Sequence, residues 1–291
     1  MCLYREISAR GSRQIGCGVQ SQTITLDSRP PARVWTDGPA DQAAQPVVLL
    51  HGGWGGAESH WSPIADDLAA THRVIAPELP GLGNTDAPPL AGFRAYADWL
   101  KDLLDALSID KATIVGNAFG ATVAWCFASM YPERCRGLVM VNGFPPPRYN
   151  AAVRWLARET FVRRAARAQL MRNLYGPDAL RTGFADVTKV PAEIATLLRD
   201  PPPARIEGIL DVYLSDEPIS PPPKVPALVL FGEADRVPLI DTRAGGRFGE
   251  TLSEGDFVRL DGAGHLPQLE RPADFLRELR GFLNRARKAS R

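Results

Sequence analysis

The chain has almost no charge to spare: 34 Lys+Arg stand against 33 Asp+Glu in 291 residues. Such a balance gives no field to hold a polyanion, so neither nucleic acid nor a membrane is an expected partner. Cysteines are only four, Cys2, Cys17, Cys126 and Cys135. They are too few for a disulfide scaffold and lack the short spacings with histidine that a zinc site needs, so no metal is expected. No run of about 20 apolar residues occurs, and Arg5 and Glu6 interrupt the N-terminus before a secretory apolar region develops. A soluble, cytoplasmic protein is the expectation. There is also no phosphate loop and no dinucleotide glycine fingerprint after the first strand, so no cofactor is implied. What remains is a chain 45% hydrophobic, enough to bury a substantial core.

Short aliphatic runs recur: Thr23 to Leu26, Arg33 to Thr36, Val47 to Leu50, Val74 to Ala76, Ala112 to Val115, Leu138 to Val141, Ala227 to Phe231 and Phe257 to Leu260. From Val47 onward most are uninterrupted, as strands covered on both faces require, which predicts a mostly parallel sheet. Between them lie helical rhythms. Tyr96, Trp99, Leu100, Leu103, Leu104 and Leu107 form one stripe, and Phe275, Leu276, Leu279, Phe282 and Leu283 form another, with Pro272 near its start.

The alternation stops between Phe144 and Val225, where three triple prolines, beginning at Pro145, Pro201 and Pro221, punctuate helical patterns. The expected organisation is therefore a core of residues 1–143 and 226–291, with residues 144–225 inserted as a helical cap. Trp155, Phe161, Leu170, Met171 and Leu174 read as its helix core. Its arginines, Arg154, Arg158, Arg163, Arg164, Arg167 and Arg172, read as a solvated face from which one or two could reach a substrate anion.

Strand Ala112 to Val115 runs into Gly116-Asn117-Ala118-Phe119-Gly120-Ala121 and then an apolar helix. This is the strand, sharp turn and helix that presents a nucleophile, G-x-S-x-G in every respect except that alanine holds the central position. Strand Val47 to Leu50 ends in His51-Gly52-Gly53-Trp54-Gly55-Gly56. The run from Ala76 to Asp86 contains Glu78-Leu79-Pro80-Gly81-Leu82-Gly83-Asn84-Thr85-Asp86. Later come Gly232-Glu233-Ala234-Asp235-Arg236-Val237 and Gly262-Ala263-Gly264-His265-Leu266-Pro267. With these segments in this order the chain resembles the α/β-hydrolase fold family from about Thr23 to Leu283.

The resemblance implies an α/β fold: a mostly parallel α/β-hydrolase sheet flanked by helices, with an inserted helical cap. It places the nucleophile position at Ala118, the acid at Asp235 with Glu233 as the alternative, and the base at His265. It places the oxyanion hole at the N–H groups of Gly53 and Phe119 and substrate contacts at Trp54 and Asn117, and it gives His51 a structural role anchoring the loop. His60 and His72 read as surface or packing residues. A methyl group cannot attack a carbonyl, so two readings stay open. One is a serine hydrolase of ester, lactone or related acyl substrates whose serine has become alanine. The other is a natural non-hydrolytic protein of the fold, a lyase, isomerase, cyclase or ligand binder, using His265 as base. The partner expected is a small hydrophobic acyl or ring molecule. Carbon-carbon bond hydrolases of ring-cleavage products are the alternative within hydrolases, although those usually carry tryptophan where Leu266 follows His265.

Overall fold

The computed structural model describes residues 20–27, 29–39, 45–147, 151–156, 159–215, 221–237, 252 and 255–289. Cys2, Cys17 and Arg158 lie outside the described residues. Eight strands form one sheet in the order β1-β2-β4-β3-β5-β6-β7-β8. They are β1 (Gln20–Leu26), β2 (Arg29–Asp37), β3 (Pro46–Leu50), β4 (Arg73–Pro77), β5 (Ala112–Asn117), β6 (Cys135–Val141), β7 (Ala227–Gly232) and β8 (Gly255–Leu260). Every pairing from β4 to β8 is parallel, and only the β1–β2 and β2–β4 pairs are antiparallel.

Strand side chains alternate between faces, and here both faces are apolar. Val48, Leu50, Ile114, Leu138, Met140 and Phe231 meet α2 (Phe93–Ala106) and α3 (Phe119–Met130) through Trp99, Leu103, Trp125 and Phe127. Val47, Leu49, Val115, Val139 and Leu230 meet α1 (Ala57–Ala69) and the C-terminal helix, Pro272–Ala289, through Trp61, Leu68, Phe275 and Phe282. This two-sided burial is why the strands read as unbroken hydrophobic runs. The one prolyl pair within a strand, Pro30-Pro31, lies where β2 has passed beyond its pairing with β4, which begins at Val34 opposite Pro77. Proline, which cannot donate to a ladder, is tolerated there.

After β6 the chain leaves the sheet for α4 (Ala151–Leu156), α5 (Thr160–Leu174), α6 (Pro177–Gly183), α7 (Ala192–Arg199) and α8 (Pro203–Tyr213), and returns at β7. Among the described residues no strand lies in this insertion. Its packing differs from the sequence expectation. Trp155 and Phe161 are 63% and 69% exposed rather than core. Arg163 and Arg167 are spent on Glu207 and Asp211 of α8. Among the described residues no helix is long and apolar enough to cross a membrane. Two helices close the C-terminal part, the short α9 (Pro267–Glu270) and the long α10 (Pro272–Ala289).

Strand order reverses at β3, whose neighbours β4 and β5 leave in opposite directions, so a crevice opens at the carboxyl ends of β3 and β5. Leu50 pairs with Gly116, which sets the loop after β3 beside the turn after β5. That approach is tight: a Cβ on Gly120 would stand 2.5 Å from the Leu50 carbonyl oxygen and 2.6 Å from that of His51. Gly120→Ala is therefore expected to cost about 3 kcal/mol by forcing backbone apart. Gly281→Ala in α10, where the nearest atom is the Arg285 guanidinium at 3.6 Å, is expected to stabilise by about 0.5–1 kcal/mol. Urea unfolding of the two variants checks the contrast.

Candidate active site

β5 ends at Asn117 and α3 starts at Phe119, leaving one residue to turn the chain. That residue, Ala118, sits at φ 49°, ψ −109°, which an L side chain rarely adopts. The turn is pinned on both sides. Ala118 N–H donates to the Val141 carbonyl at 2.9 Å, and its own carbonyl accepts from Ala121 N–H at 3.0 Å. Glycines make the space: a Cβ on Gly116 would meet the Gly120 carbonyl oxygen at 2.2 Å, and one on Gly143 would meet the Ala121 Cβ at 2.4 Å.

Facing this turn is the loop after β3, where a Cβ on Gly52 would lie 3.3 Å from the Ala118 Cβ. Two buried histidines hold it. His51 Nε2 accepts the Leu79 N–H at 2.9 Å, so its Nδ1 carries the proton and donates to the Gly52 carbonyl at 2.7 Å. His60 Nε2 accepts the Gly52 N–H at 3.1 Å and its Nδ1 donates to the Gly56 carbonyl at 3.0 Å. In a trans peptide the C=O and N–H point opposite ways. The His51 bond to the Gly52 carbonyl thus turns the Gly53 N–H, in the same peptide unit, away from His51. Among the described residues neither Gly53 N–H nor Phe119 N–H has a hydrogen-bond partner. The second of these opens α3, where the helix dipole adds positive potential. Glu78 braces the loop from below, accepting from Ala57 N–H, Asn84 N–H and Trp35 Nε1.

The turns after β7 and β8 bring Asp235 and His265 together. His265 Nδ1 lies 2.8 Å from Asp235 Oδ2. The same oxygen accepts from Asn142 Nδ2 at 2.6 Å, and Oδ1 accepts the Val237 N–H at 2.9 Å. The carboxylate, held by three donors, has no freedom to turn. Glu233 is exposed and its side chain does not share this contact. The Trp54 ring lies against the His265 imidazole, centroids 4.7 Å apart, and stacks on Phe184.

Asn117, expected as a substrate contact, is buried and its amide nitrogen is bonded within the protein. Its buried side chain turns beneath the elbow, Nδ2 donating to the carbonyls of Val141 at 3.2 Å and His265 at 3.1 Å. It joins the His265 loop to the elbow, while its Oδ1 is buried with no hydrogen-bond partner among the described residues. His60, read from sequence as a surface or packing residue, is fully buried and shapes the loop. Asn142 was not foreseen at all. The Asn142-Gly143 pair is a turn signal, and Asn142 does adopt φ 45°, but its reach to Asp235 spans 93 residues.

The Alpha/beta hydrolase family matches over residues 47–278. The chain belongs to this family. Its similarity to the 2-hydroxy-6-oxo-2,4-heptadienoate hydrolase of Pseudomonas putida is 26% identity over 263 residues, covering 83% of this chain and 90% of that one. With the pimeloyl-[acyl-carrier protein] methyl ester esterase of Aeromonas hydrophila it shares 27% over 258 residues, 81% of this chain and 94% of that one. Among solved structures, a thermophilic esterase from Thermogutta terrifontis superposes with a TM-score of 0.69 at 24% identity, covering 92% of this α/β hydrolase and 99% of the esterase.

Burial pushes the His51 imidazole below its usual value, against the pull of Glu78, and pushes that of His60 well below it. The unfolded chain then binds protons at pH values where the fold does not, so the stabilisation is complete above about pH 6.5 and is lost as pH falls below that. The slope is up to about 1.4 kcal/mol per pH unit for each histidine. In urea unfolding between pH 7.5 and 5.5, His60→Gln should be less stable at pH 7.5 yet lose stability less steeply on acidification. An unchanged slope would contradict the neutral, load-carrying role of His60.

Proposed function

We propose that this site is built for hydrolysis of an ester, lactone or related acyl bond by a nucleophile at position 118, and that the chain with Ala118 binds its substrate without turning it over. The observation that carries this reading is the combination at one point. A strained backbone turns at residue 118, beside the unpartnered Phe119 N–H and facing the Gly52-Gly53 loop, and the preceding Asn117 is bonded to the loop whose imidazole is held by the Asp235 carboxylate. Such strain costs on the order of 1–3 kcal/mol and persists where function uses it.

With serine at 118, its oxygen adds to the substrate carbonyl while its proton passes to His265 Nε2. Asp235 stabilises the imidazolium, and the Gly53 and Phe119 N–H groups receive the oxyanion. The imidazolium then gives its proton to the departing alcohol, and a water molecule, deprotonated by the same imidazole, releases the acid. No step calls for a cofactor. Residues 144–225 act as the cap, with Trp54 and Phe184 forming part of an apolar wall beside His265. The curated relatives include both an ester hydrolase and a carbon-carbon bond hydrolase. Leu266 in place of the tryptophan usual after the catalytic histidine of ring-cleavage hydrolases favours the ester reading.

Loss of a triad nucleophile costs about a millionfold in kcat in a serine protease. Ala118→Ser should therefore create saturable hydrolysis of p-nitrophenyl esters or lactones, blocked by an organophosphonate that labels residue 118, while the Ala118 chain binds the same compounds without turnover. Contradiction would come from a serine variant inert towards acyl and carbon-carbon substrates alike, together with an Ala118 chain that converts a ligand in a reaction abolished by His265→Ala. That pattern would identify a non-hydrolytic enzyme with His265 as its proton-transfer residue.

A further inference from the structure

The sequence put candidate anion contacts on the arginines between positions 154 and 172, but the cation that reaches the Gly53 loop comes from α8. Arg205 reaches across from the insertion to the core, Nη1 3.4 Å from the Gly53 carbonyl and Nη2 3.5 Å from the Gly83 carbonyl. Both contacts are long, and they occupy two of five N–H donors. Among the described residues no carboxylate lies within ion-pair distance of this guanidinium. The nearest acids are committed elsewhere: Glu78 to Ala57, Asn84 and Trp35, and Glu193 to the Asn84 amide. Burial pushes Arg205 below its usual value, so the cation is held where water compensates it poorly.

Beside it is a second unspent donor. The Tyr175 hydroxyl is buried, its residue 3% exposed, and has no hydrogen-bond partner. It faces Gly53, since a Cβ there would stand 4.0 Å from the hydroxyl oxygen and 3.5 Å from Ile209 Cδ1. Ile194 packs close to Gly55 on the same side. A planar cation with free donors, a hydroxyl and Ile209 thus lie around Gly53, with Ile194 against the nearby Gly55.

We propose that Arg205 and Tyr175 form a subsite for a carboxylate carried by the substrate. The ligand class is an acyl compound with a second, free carboxyl group, such as the half-ester of a dicarboxylic acid. The guanidinium fork matches a carboxylate bidentately, the phenol supplies a third donor, and the isoleucines take the intervening methylenes. A neutral diester would leave the half-buried cation without a carboxylate partner. Naming this substrate class rests on the hydrolase reading above, but binding is measurable without turnover.

The test is calorimetric titration of the Ala118 chain with monomethyl esters of dicarboxylic acids from succinate to suberate, each beside its dimethyl ester. At least one monoester should bind about tenfold or more tighter than its dimethyl partner. Arg205→Met should abolish that preference, and Tyr175→Phe should reduce it about threefold to tenfold. Because Arg205→Met also removes a tie between insertion and core, Arg205→Lys serves as the second variant, keeping the charge and losing the fork, with an intermediate preference. Equal loss for both esters in the Arg205 variants would make the residue a clamp only and overturn the proposal, as would the absence of binding by every monoester. Selective monoester binding with an inert Ala118→Ser variant would retain the subsite and reject the hydrolase reading. Equal hydrolysis of both esters would do the reverse.

Discussion

The site depends on one backbone constraint, the positive φ forced on residue 118 between a strand and a helix that have no spare residue between them. It is maintained from several directions at once. β6 receives the Ala118 N–H, Gly120 lets α3 press against the end of β3, and Gly143 yields to Ala121. Each contact costs freedom that a chain without use for the turn would not need to surrender. The same closeness places the Gly53 peptide next to residue 118, so elbow geometry and amide placement are one arrangement.

The inserted helices are bound into this arrangement rather than resting over it. His265 N–H donates to the Gly183 carbonyl at 2.6 Å and Arg236 N–H to that of Thr182 at 2.7 Å, so the end of α6 holds both the histidine loop and the acid loop. Glu270 extends the tie, accepting from Gly264 N–H and Asp186 N–H, while Lys189 donates to its carbonyl. Displacement of α6 would therefore disturb the imidazole before it disturbed the sheet. Arg205 makes the corresponding contact on the other side, to the Gly53 loop.

Much of this was readable from sequence because the controlling signals are local. Buried strands show as apolar runs, and the elbow, the histidine turn and the acid turn show as short glycine-containing motifs at strand ends. What was not readable depends on contacts across long separations. Asn142 looks like a turn residue until β7 is placed beside β6. Asn117 sits where a substrate contact is plausible, and only the path of the His265 loop beneath it shows that its amide nitrogen is already used. The insertion misled most, since apolar residues on a helix imply burial, yet Trp155 and Phe161 face outward, while the arginine that reaches the Gly53 loop lies on α8 outside the arginine cluster.

The central claim is that the acid and base are fully organised around a position that lacks an attacking atom. A carboxylate oxygen can only accept, so a bond from His265 Nδ1 to Asp235 Oδ2 requires the imidazole proton on Nδ1 and leaves Nε2 as the nitrogen free to take a proton. Nitrogen-15 NMR of the imidazole in the Ala118 chain tests this most directly, with Asp235→Asn as reference. The account predicts a single Nδ1–H tautomer with a strongly deshielded, slowly exchanging proton, lost in Asp235→Asn. An Nε2–H tautomer, or averaging between tautomers that Asp235→Asn leaves unchanged, would contradict it.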